Sequence, residues 1–297
     1  MTKLLRWLPV CAVLVLTACD SLVQEVDPGR LPVVDKKLVV HSFISPQDSV
    51  LAVAVGESRP VLGTNPGTRL ILTNATVTLS DGSRSITIPY NTQDGAYTTS
   101  SRTFPIRAGQ TYRLQVSTSD NRRVEAVCTV PRAIPIATAL VDSAVSTRLF
   151  SNQREMVYYT RLTWQDPAGE ANYYRVAGDV SYSIDPTRGT ASEPLSFGRS
   201  SLLVSDRNQD GQTISSSRGE LPVTSQVPTT AVRQYTITAH LLHTEKNYFD
   251  YHTTVIRQDQ TGGNPFAEPV LISGNIEGGL GCFGAYSRAT VTLTLKK

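Results

Sequence analysis

The residue with the clearest chemical role in this sequence is Cys19. Before it come a short basic start, an apolar stretch from Leu8 to Leu16, and the small residues Thr17 and Ala18. This order is typical of a secretory signal peptide, and the stretch is shorter than the about 20 residues that span a bilayer. A cysteine at the first mature position can carry a diacylglycerol and an amide-linked chain such as palmitate, each methylene contributing about 0.8 kcal/mol. We therefore expect residues 1–18 to be removed and Cys19 to anchor the protein.

A second candidate site is acidic. Asp206, Asn208 and Asp210 alternate along the chain and are followed by Gly211, as in the first half of a calcium-binding loop. The bidentate glutamate expected at loop position twelve is missing, because Ser217 stands there. Aspartate and asparagine before glycine also form ordinary turns. We predict a turn here and keep calcium binding as the alternative.

Three histidines, His240, His243 and His252, are close enough in sequence to suggest a transition-metal site. Residues three apart in a strand face opposite sides, and no acid or cysteine nearby completes a zinc ligand set. We predict surface histidines and no metal site.

The glycine string Gly279-x-Gly281-x-x-Gly284 matches the dinucleotide-binding fingerprint. That fingerprint needs a helix beginning at the glycines inside a parallel βαβ unit, whereas strand-like residues follow them here. We predict a glycine-rich turn with close backbone packing instead. The sequence also has no Gly-x-Ser-x-Gly elbow, no His-Glu-x-x-His pair and no phosphate loop. We therefore predict a protein that is not an enzyme and has no cofactor.

Cysteine usage fits an envelope protein. Besides Cys19 and the leader's Cys11, the chain has Cys128, on an alternating apolar face, and Cys282 far along the sequence. An oxidising envelope would permit a disulfide, but a buried thiol behaves as a small hydrophobe. We predict two free buried thiols, with a bridge as the alternative.

Composition predicts folded domains and gives no sign of a polyanionic partner. Of 297 residues, 40% are hydrophobic and 18% are charged, so the chain can bury substantial cores. The net charge of +3 falls to +1 without the leader's Lys3 and Arg6, which gives no reason to invoke nucleic acid. We find no second apolar segment long enough to cross a membrane, so the lipid is the expected anchor.

The elements that must position these residues are mostly strands. Residues 19–36 are polar and contain prolines, which predicts a tether. From 37 to 132, apolar residues alternate, and Asp81-Gly82 between two alternating runs predicts a hairpin. This spacing is typical of an immunoglobulin-like β-sandwich, which should close where Pro131 and Pro135 break the pattern.

Residues 133–297 predict a second β-rich domain with one helix. The alternating runs in it are Met156–Trp164, Tyr173–Ser183, Tyr235–Leu241 and Ala289–Leu295. Near 244–258, Thr244 can act as N-cap, Glu245 suits the first turn, and Tyr248, Tyr251 and Val255 share one face. We expect this helix to cover a sheet face or edge. The predicted fold is mainly all-β, with two tandem β-sandwich-like domains and one short helix in the second.

Six blocks of sequence carry a family resemblance: Lys37–Ile44, Asn74–Gly82, Ala108–Leu114, Tyr173–Val176, Ser205–Gln212 and Asn275–Gly284. In this order they resemble the Bacteroidota lipoprotein family called domain of unknown function 4249. The resemblance implies an outer-membrane lipoprotein, often encoded beside a TonB-dependent receptor, and no known reaction. The acidic run that surface-exported lipoproteins of that phylum carry is weak here, because four residues without an acid separate Asp20 from Glu25. We expect an outer-membrane location, at the cell surface rather than the periplasmic face.

The same phylum modifies serine or threonine in a short motif, in which aspartate precedes and an apolar residue follows. Ser21, Ser49 and Ser143 fit this rule. Because so short a motif matches by chance, we expect one or two of them at most to carry a glycan.

The leading functional hypothesis is a non-catalytic accessory module that works with a TonB-dependent receptor in cargo capture or uptake. One alternative is an enzyme that processes envelope glycans or proteins at an inter-domain site. Another is a calcium-stabilised structural or adhesive surface domain. The sequence identifies neither the cargo nor the partner.

Overall fold

The computed structural model describes residues 35–59, 70–147, 154–183, 189–198, 202–221, 234–261, 266–268 and 270–296. The predicted signal peptide, Cys19, Ser21 and most of the predicted tether lie outside these residues. No helix of the described part is long and apolar enough to cross a membrane. From residue 37 onward, Arg59 excepted, the described residues belong to one compact unit.

Strands dominate the described chain, and one helix is present in it. The elements are β1 (Leu38–Ile44), β2 (Val50–Glu57), β3 (Leu70–Ile71), β4 (Thr76–Ser80), β5 (Ser85–Ile88), β6 (Tyr90–Asn91), β7 (Ala96–Ser100), β8 (Thr111–Ser117), β9 (Arg123–Thr129), β10 (Ile136–Thr147), β11 (Arg154–Gln165), β12 (Tyr173–Tyr182), β13 (Ala191–Pro194), β14 (Leu203–Ser205), β15 (Thr213–Ser215), β16 (Gly219–Glu220), β17 (Gln234–Thr244), α1 (Lys246–Thr261) and β18 (Leu280–Lys296). The mainly all-β prediction is confirmed.

The first β-sandwich is built from alternating apolar residues. The sheet half β1-β2-β7-β6 lies over the sheet β5-β4-β8-β9. Inward residues of both layers, among them Leu51, Tyr97, Tyr112 and Leu114, form one buried cluster. The predicted hairpin joins β4 and β5, and Gly82 adopts a φ of 87°, which favours glycine.

The second β-sandwich has its core between β12-β17-β18 and the sheet β10-β11-β15. Trp164 and Tyr174 lie at its centre, both fully buried. Strand β10 was not predicted, because its residues alternate poorly. Leu140 and Val145 stay exposed on it, so the hydrophobic pattern that marks a strand is absent there.

One continuous sheet serves both sandwiches. In the described part its order is β13-β12-β17-β18-β1-β2-β7-β6. The first part of β18 pairs in parallel with β1, and the rest pairs antiparallel with β17. Phe283 and Ala285 of β18 belong to the first core, while Val291 and Leu293 pack on the second. The last strand therefore contributes to the first core. Most of the other residues of that core belong to the segment that ends near residue 132.

Helix α1 covers the outer face of the sheet where β18 meets β1, as predicted. Tyr248 is its buried residue, and the Tyr248 ring meets Phe43 of β1 edge-on at 5.1 Å. The N-cap differs from the prediction. The hydroxyl of Thr244 donates to the carbonyl of Tyr173, whereas the Glu245 carbonyl accepts the bond from the Phe249 amide. Glu245 is therefore the N-cap, because Thr244 still belongs to β17.

Candidate functional site

Three aspartates meet at the ends of two strands. Asp166 follows β11 directly, Asp206 follows β14 directly, and Asp210 lies in the turn after Asp206. One carboxylate oxygen of each lies within 4.8 Å of the others. Asp166 and Asp206 are 2% and 4% exposed, and Asp210 is exposed. Among the described residues, this is the one group of three acids, histidines or cysteines that could hold a metal ion.

Backbone amides hold the three carboxylates in place. Gly211 N–H donates to Asp166 at 2.9 Å, and Asn172 N–H donates to Asp206 at 2.7 Å. Gly169 N–H donates to Asp210 at 2.9 Å, and the Tyr174 hydroxyl donates to Asp166. The aspartates thus tie the turn after β11 to the turn after β14. The predicted turn at 206–211 is confirmed.

The composition of this cluster differs from the motif seen in the sequence. Asp206 and Asp210 come together as the calcium hypothesis requires, while Asn208 is exposed in the turn between them. Asp166 takes part as well, although the sequence analysis did not single it out. Its partners lie some forty residues further along, so no local motif could have revealed it. Whether calcium binds here stays a hypothesis.

The cluster has no basic partner among the ion pairs of the described residues. Carboxylates this close repel one another, and burial of two of them strengthens the repulsion. A hard cation with oxygen ligands would offset it, although three carboxylates supply only part of the six to eight oxygens that calcium takes.

His243 connects the cluster to a neighbouring cleft. Its ring stacks on Tyr174 at 5.3 Å, and its Nδ1 lies 2.7 Å from the carbonyl oxygen of Arg132. Burial lowers the pKa of His243, although the nearby carboxylates, first among them Glu170, act in the opposite direction. The prediction of a surface histidine is wrong for this residue, because its ring fills space between β12 and the chain leaving β9.

The cleft beside His243 has a volume of about 730 Å³. Three segments form it: the chain leaving β9, the turn after β11, and the junction of β17 with α1. Its lining combines apolar surface with polar side chains, among them charged groups of both signs. The lining residues include Arg132, Ala133, Glu170, Tyr173, His243, Glu245 and Lys246.

Glu245, one of the lining residues of the cleft, has a buried oxygen without a partner in the described part of the chain. Its Oε1 accepts a 2.6 Å bond from the side-chain amide of Asn247. Its Oε2 is shielded from solvent and has no hydrogen-bond partner among the described residues. Burial raises the pKa of Glu245 to about 7. The sequence predicted the helix start but not this environment, which depends on how α1 lies against β18 and β9.

The remaining candidate residues take structural places. Cys128 and Cys282 are free buried thiols, as predicted, and burial raises the pKa of both. The side chain of His240 pairs with Thr290 at 2.9 Å, away from His243. His252 also departs from the surface prediction, because it packs among the rings of Phe43 and Tyr248.

The glycine string does what close packing requires. A Cβ on Gly281 would lie 2.0 Å from the carbonyl oxygen of Val40, and one on Gly279 would lie 2.7 Å from that of Leu38. A Cβ on Gly284 would meet Tyr248 of α1 at 3.0 Å. The predicted close backbone approach is confirmed, but the predicted turn is wrong for Gly281 and Gly284, which lie in strand β18. Of the serines that fit the glycosylation rule, Ser49 and Ser143 are exposed, which leaves that hypothesis open.

Comparison with known proteins identifies the family. Residues 23–292 match the family described as Domain of unknown function (DUF4249). The chain belongs to this family. No curated protein matches. A two-domain fibronectin type-III segment from chicken tenascin is similar at 12% identity over 89% of this chain and all of that one, with a TM-score of 0.20.

Proposed function

We propose that this DUF4249 protein is a lipid-anchored binding module of the outer membrane, which holds a polar cargo in its cleft for a TonB-dependent receptor. The leader and Cys19 support the anchor. The family resemblance supports the receptor partner. The observation that carries the binding role is the cleft with the unpartnered oxygen of Glu245.

The cleft favours a ligand rich in hydrogen-bond donors. Its volume lies within the 300–1,000 Å³ typical of small-molecule sites. A buried acceptor without a partner costs about 1–3 kcal/mol, which a ligand hydroxyl or amine would recover. The ring of Tyr173 adds an apolar surface, held at 4.9 Å from Phe249. A hydroxylated molecule of the size of a small oligosaccharide matches this combination.

The receptor partnership is tested by affinity purification of the tagged lipoprotein from detergent-solubilised outer membrane, with mass spectrometry of the retained proteins. We expect a TonB-type receptor in near-equal amount. Recovery of the lipoprotein alone contradicts this part of the proposal. The control is the same purification from cells that make the untagged protein.

The cleft is tested by identifying small molecules that are released when the purified native protein is denatured. Ala133→Trp places a ring in the cleft, whereas Ala137→Trp places one on exposed β10. A compound released by the wild type and by Ala137→Trp, but not by Ala133→Trp, supports the cleft. Equal release from all three proteins places the ligand elsewhere.

The second candidate function is an enzyme that hydrolyses envelope glycans in the same cleft. A carboxyl whose pKa is raised to about 7 can serve as a general acid, and Glu170 provides a second carboxyl. Turnover of purified cell-wall or capsular glycan that Glu245→Gln abolishes would favour the enzyme. Binding without turnover would favour the accessory module.

A further inference from the structure

The outer face of strand β1 is only partly covered by helix α1. Val39, His41 and Phe43 point to this face, opposite the first core. The helix lies over the β18 side, where Gly284 lets Tyr248 approach the sheet. Among the described residues the helix leaves the β2 side of the same face uncovered, so a groove runs beside it.

This groove has a volume of about 480 Å³. Its floor is β1 and β2, one wall is α1, and the opposite rim is β3 with Gly95. The lining residues are Val39, His41, Phe43, Ala54, Val55, Gly56, Glu57, Leu70, Ile71, Gly95, Tyr251, His252 and Val255. Leu70 and Ile71 are 36% and 48% exposed, so the groove opens onto an apolar rim.

Aromatic rings dominate the wall next to α1. Phe43 lies 5.8 Å from Tyr251 and 4.9 Å from His252, and His41 lies 5.5 Å from Tyr251, all as centroid distances in tilted arrangements. These spacings are those of favourable ring contacts, and another ring could join them.

The groove offers a ligand no unpaired acidic side chain among the described residues. Its one acidic residue, Glu57, pairs with Arg122 at 2.6 Å. Burial lowers the pKa of His252 to about 4, so the imidazole is neutral near pH 7. A charged ligand would lose its hydration here without gaining an opposite charge, which disfavours ions.

We propose that this groove is a second binding site, which takes a small uncharged molecule built on aromatic rings. The site is separate from the cleft and does not depend on the function proposed for it. Its occupant buries the rim residues Leu70 and Ile71 and extends the ring cluster of Phe43, Tyr251 and His252.

Fluorescence titration with N-phenyl-1-naphthylamine, an uncharged aromatic probe, tests the groove. Ala54 is exposed on the groove floor and pairs with His41, so Ala54→Trp fills the groove with the protein's own ring. Ala52 lies on the same face of β2, is equally exposed and stands outside the groove, so Ala52→Trp is the matched control. A large side chain is well tolerated at both strand positions.

We expect saturable binding to the wild type, with Ala54→Trp weakening the affinity by at least about tenfold and Ala52→Trp changing it less than about twofold. Absence of saturable binding to the wild type overturns the proposal, whether the groove is too shallow or already filled. Equal weakening by both variants also overturns it. Sedimentation at two protein concentrations tests whether a second copy of the chain occupies the groove. If Ala54→Trp disrupts a dimer and leaves the affinity for the probe unchanged, the proposal is wrong.

Discussion

At the scale of residues, Glu245 and the aspartate cluster are the buried carboxyls with the most unusual surroundings. Glu245 has no cationic partner among the described residues, and its burial favours the neutral acid. The three clustered aspartates accept several amide hydrogen bonds, but their carboxylates lie close together and repel one another. Each arrangement therefore affects the stability of the folded state in a different way. Glu245 makes it depend on pH, and the aspartate cluster is expected to make it depend on calcium.

Replacing Glu245 with Gln is expected to stabilise the protein at pH 8 by about 2 kcal/mol and to change little at pH 4. The folded pKa of about 7 lies above the ordinary glutamate value of 4.5. The stability that protonated Glu245 contributes is therefore complete below pH 4.5 and is lost as the pH rises through 7. Urea unfolding across this range measures it, with the exposed Glu220→Gln as control. Parallel pH profiles for wild type and Glu245→Gln would refute this account.

Calcium is expected to raise the melting temperature if the aspartate cluster binds it, by about 5 °C at a hundredfold excess over Kd. Asp210→Asn keeps a side-chain oxygen that can accept the hydrogen bond from the Gly169 amide, and it removes one negative charge. It should reduce the calcium effect and, without calcium, stabilise the protein by about 0.5–1 kcal/mol. Asp179→Asn, an exposed change on β12, should do neither. A melting temperature that is the same with calcium and with chelator ends this hypothesis.

At the scale of elements, β18 joins the two sandwiches, because it pairs with β1 and with β17. Its glycines let it lie against β1 and under α1. Gly281 adopts a φ of 108° in addition to its contact with Val40, so both conformation and space require glycine.

Gly281→Ala is expected to destabilise the fold by more than about 3 kcal/mol or to prevent folding, because a Cβ would enter the Val40 carbonyl. Gly82→Ala separates the two causes, since Gly82 also has positive φ but open space around it. It should cost only about 1 kcal/mol. Chemical unfolding of both variants measures the difference. Equal effects would show that the close approach to β1 is unimportant.

For the molecule as a whole, we propose separate roles for the lipid anchor and the body. The tether from Asp20 to Lys36 could reach at most about 60 Å if fully extended. A body held this close to the membrane meets a partner in the same membrane readily.

Cys19→Ser is expected to move the protein from the membrane fraction to the soluble fraction without changing the stability of the body. Intact-mass analysis of the wild type should show loss of residues 1–18 and the added mass of the acyl chains. Further mass in hexose steps would indicate glycans, and Ser49→Ala and Ser143→Ala would locate them. An unmodified Cys19 in membrane-extracted protein would contradict the anchor.

Local patterns in the sequence predicted the β-rich class, the Asp81-Gly82 hairpin, the helix and the free buried thiol of Cys128, all of which the structure contains. They did so because strand alternation, turn chemistry and helix periodicity act over a few residues. They also predict the leader, which lies outside the described residues. Strand β10 was not predicted, because apolar residues such as Leu140 and Val145 are exposed on it and no alternation of buried and exposed residues marks the strand.

Only the tertiary structure decided what depends on residues far apart in the chain. It paired β18 in parallel with β1, brought Asp166 to Asp206 and Asp210, and buried Glu245 and His243 beside one cleft. These outcomes follow from how whole sheets and the helix pack, and the burial that shifts a pKa arises from that packing. No short stretch of sequence contains both partners of such a contact.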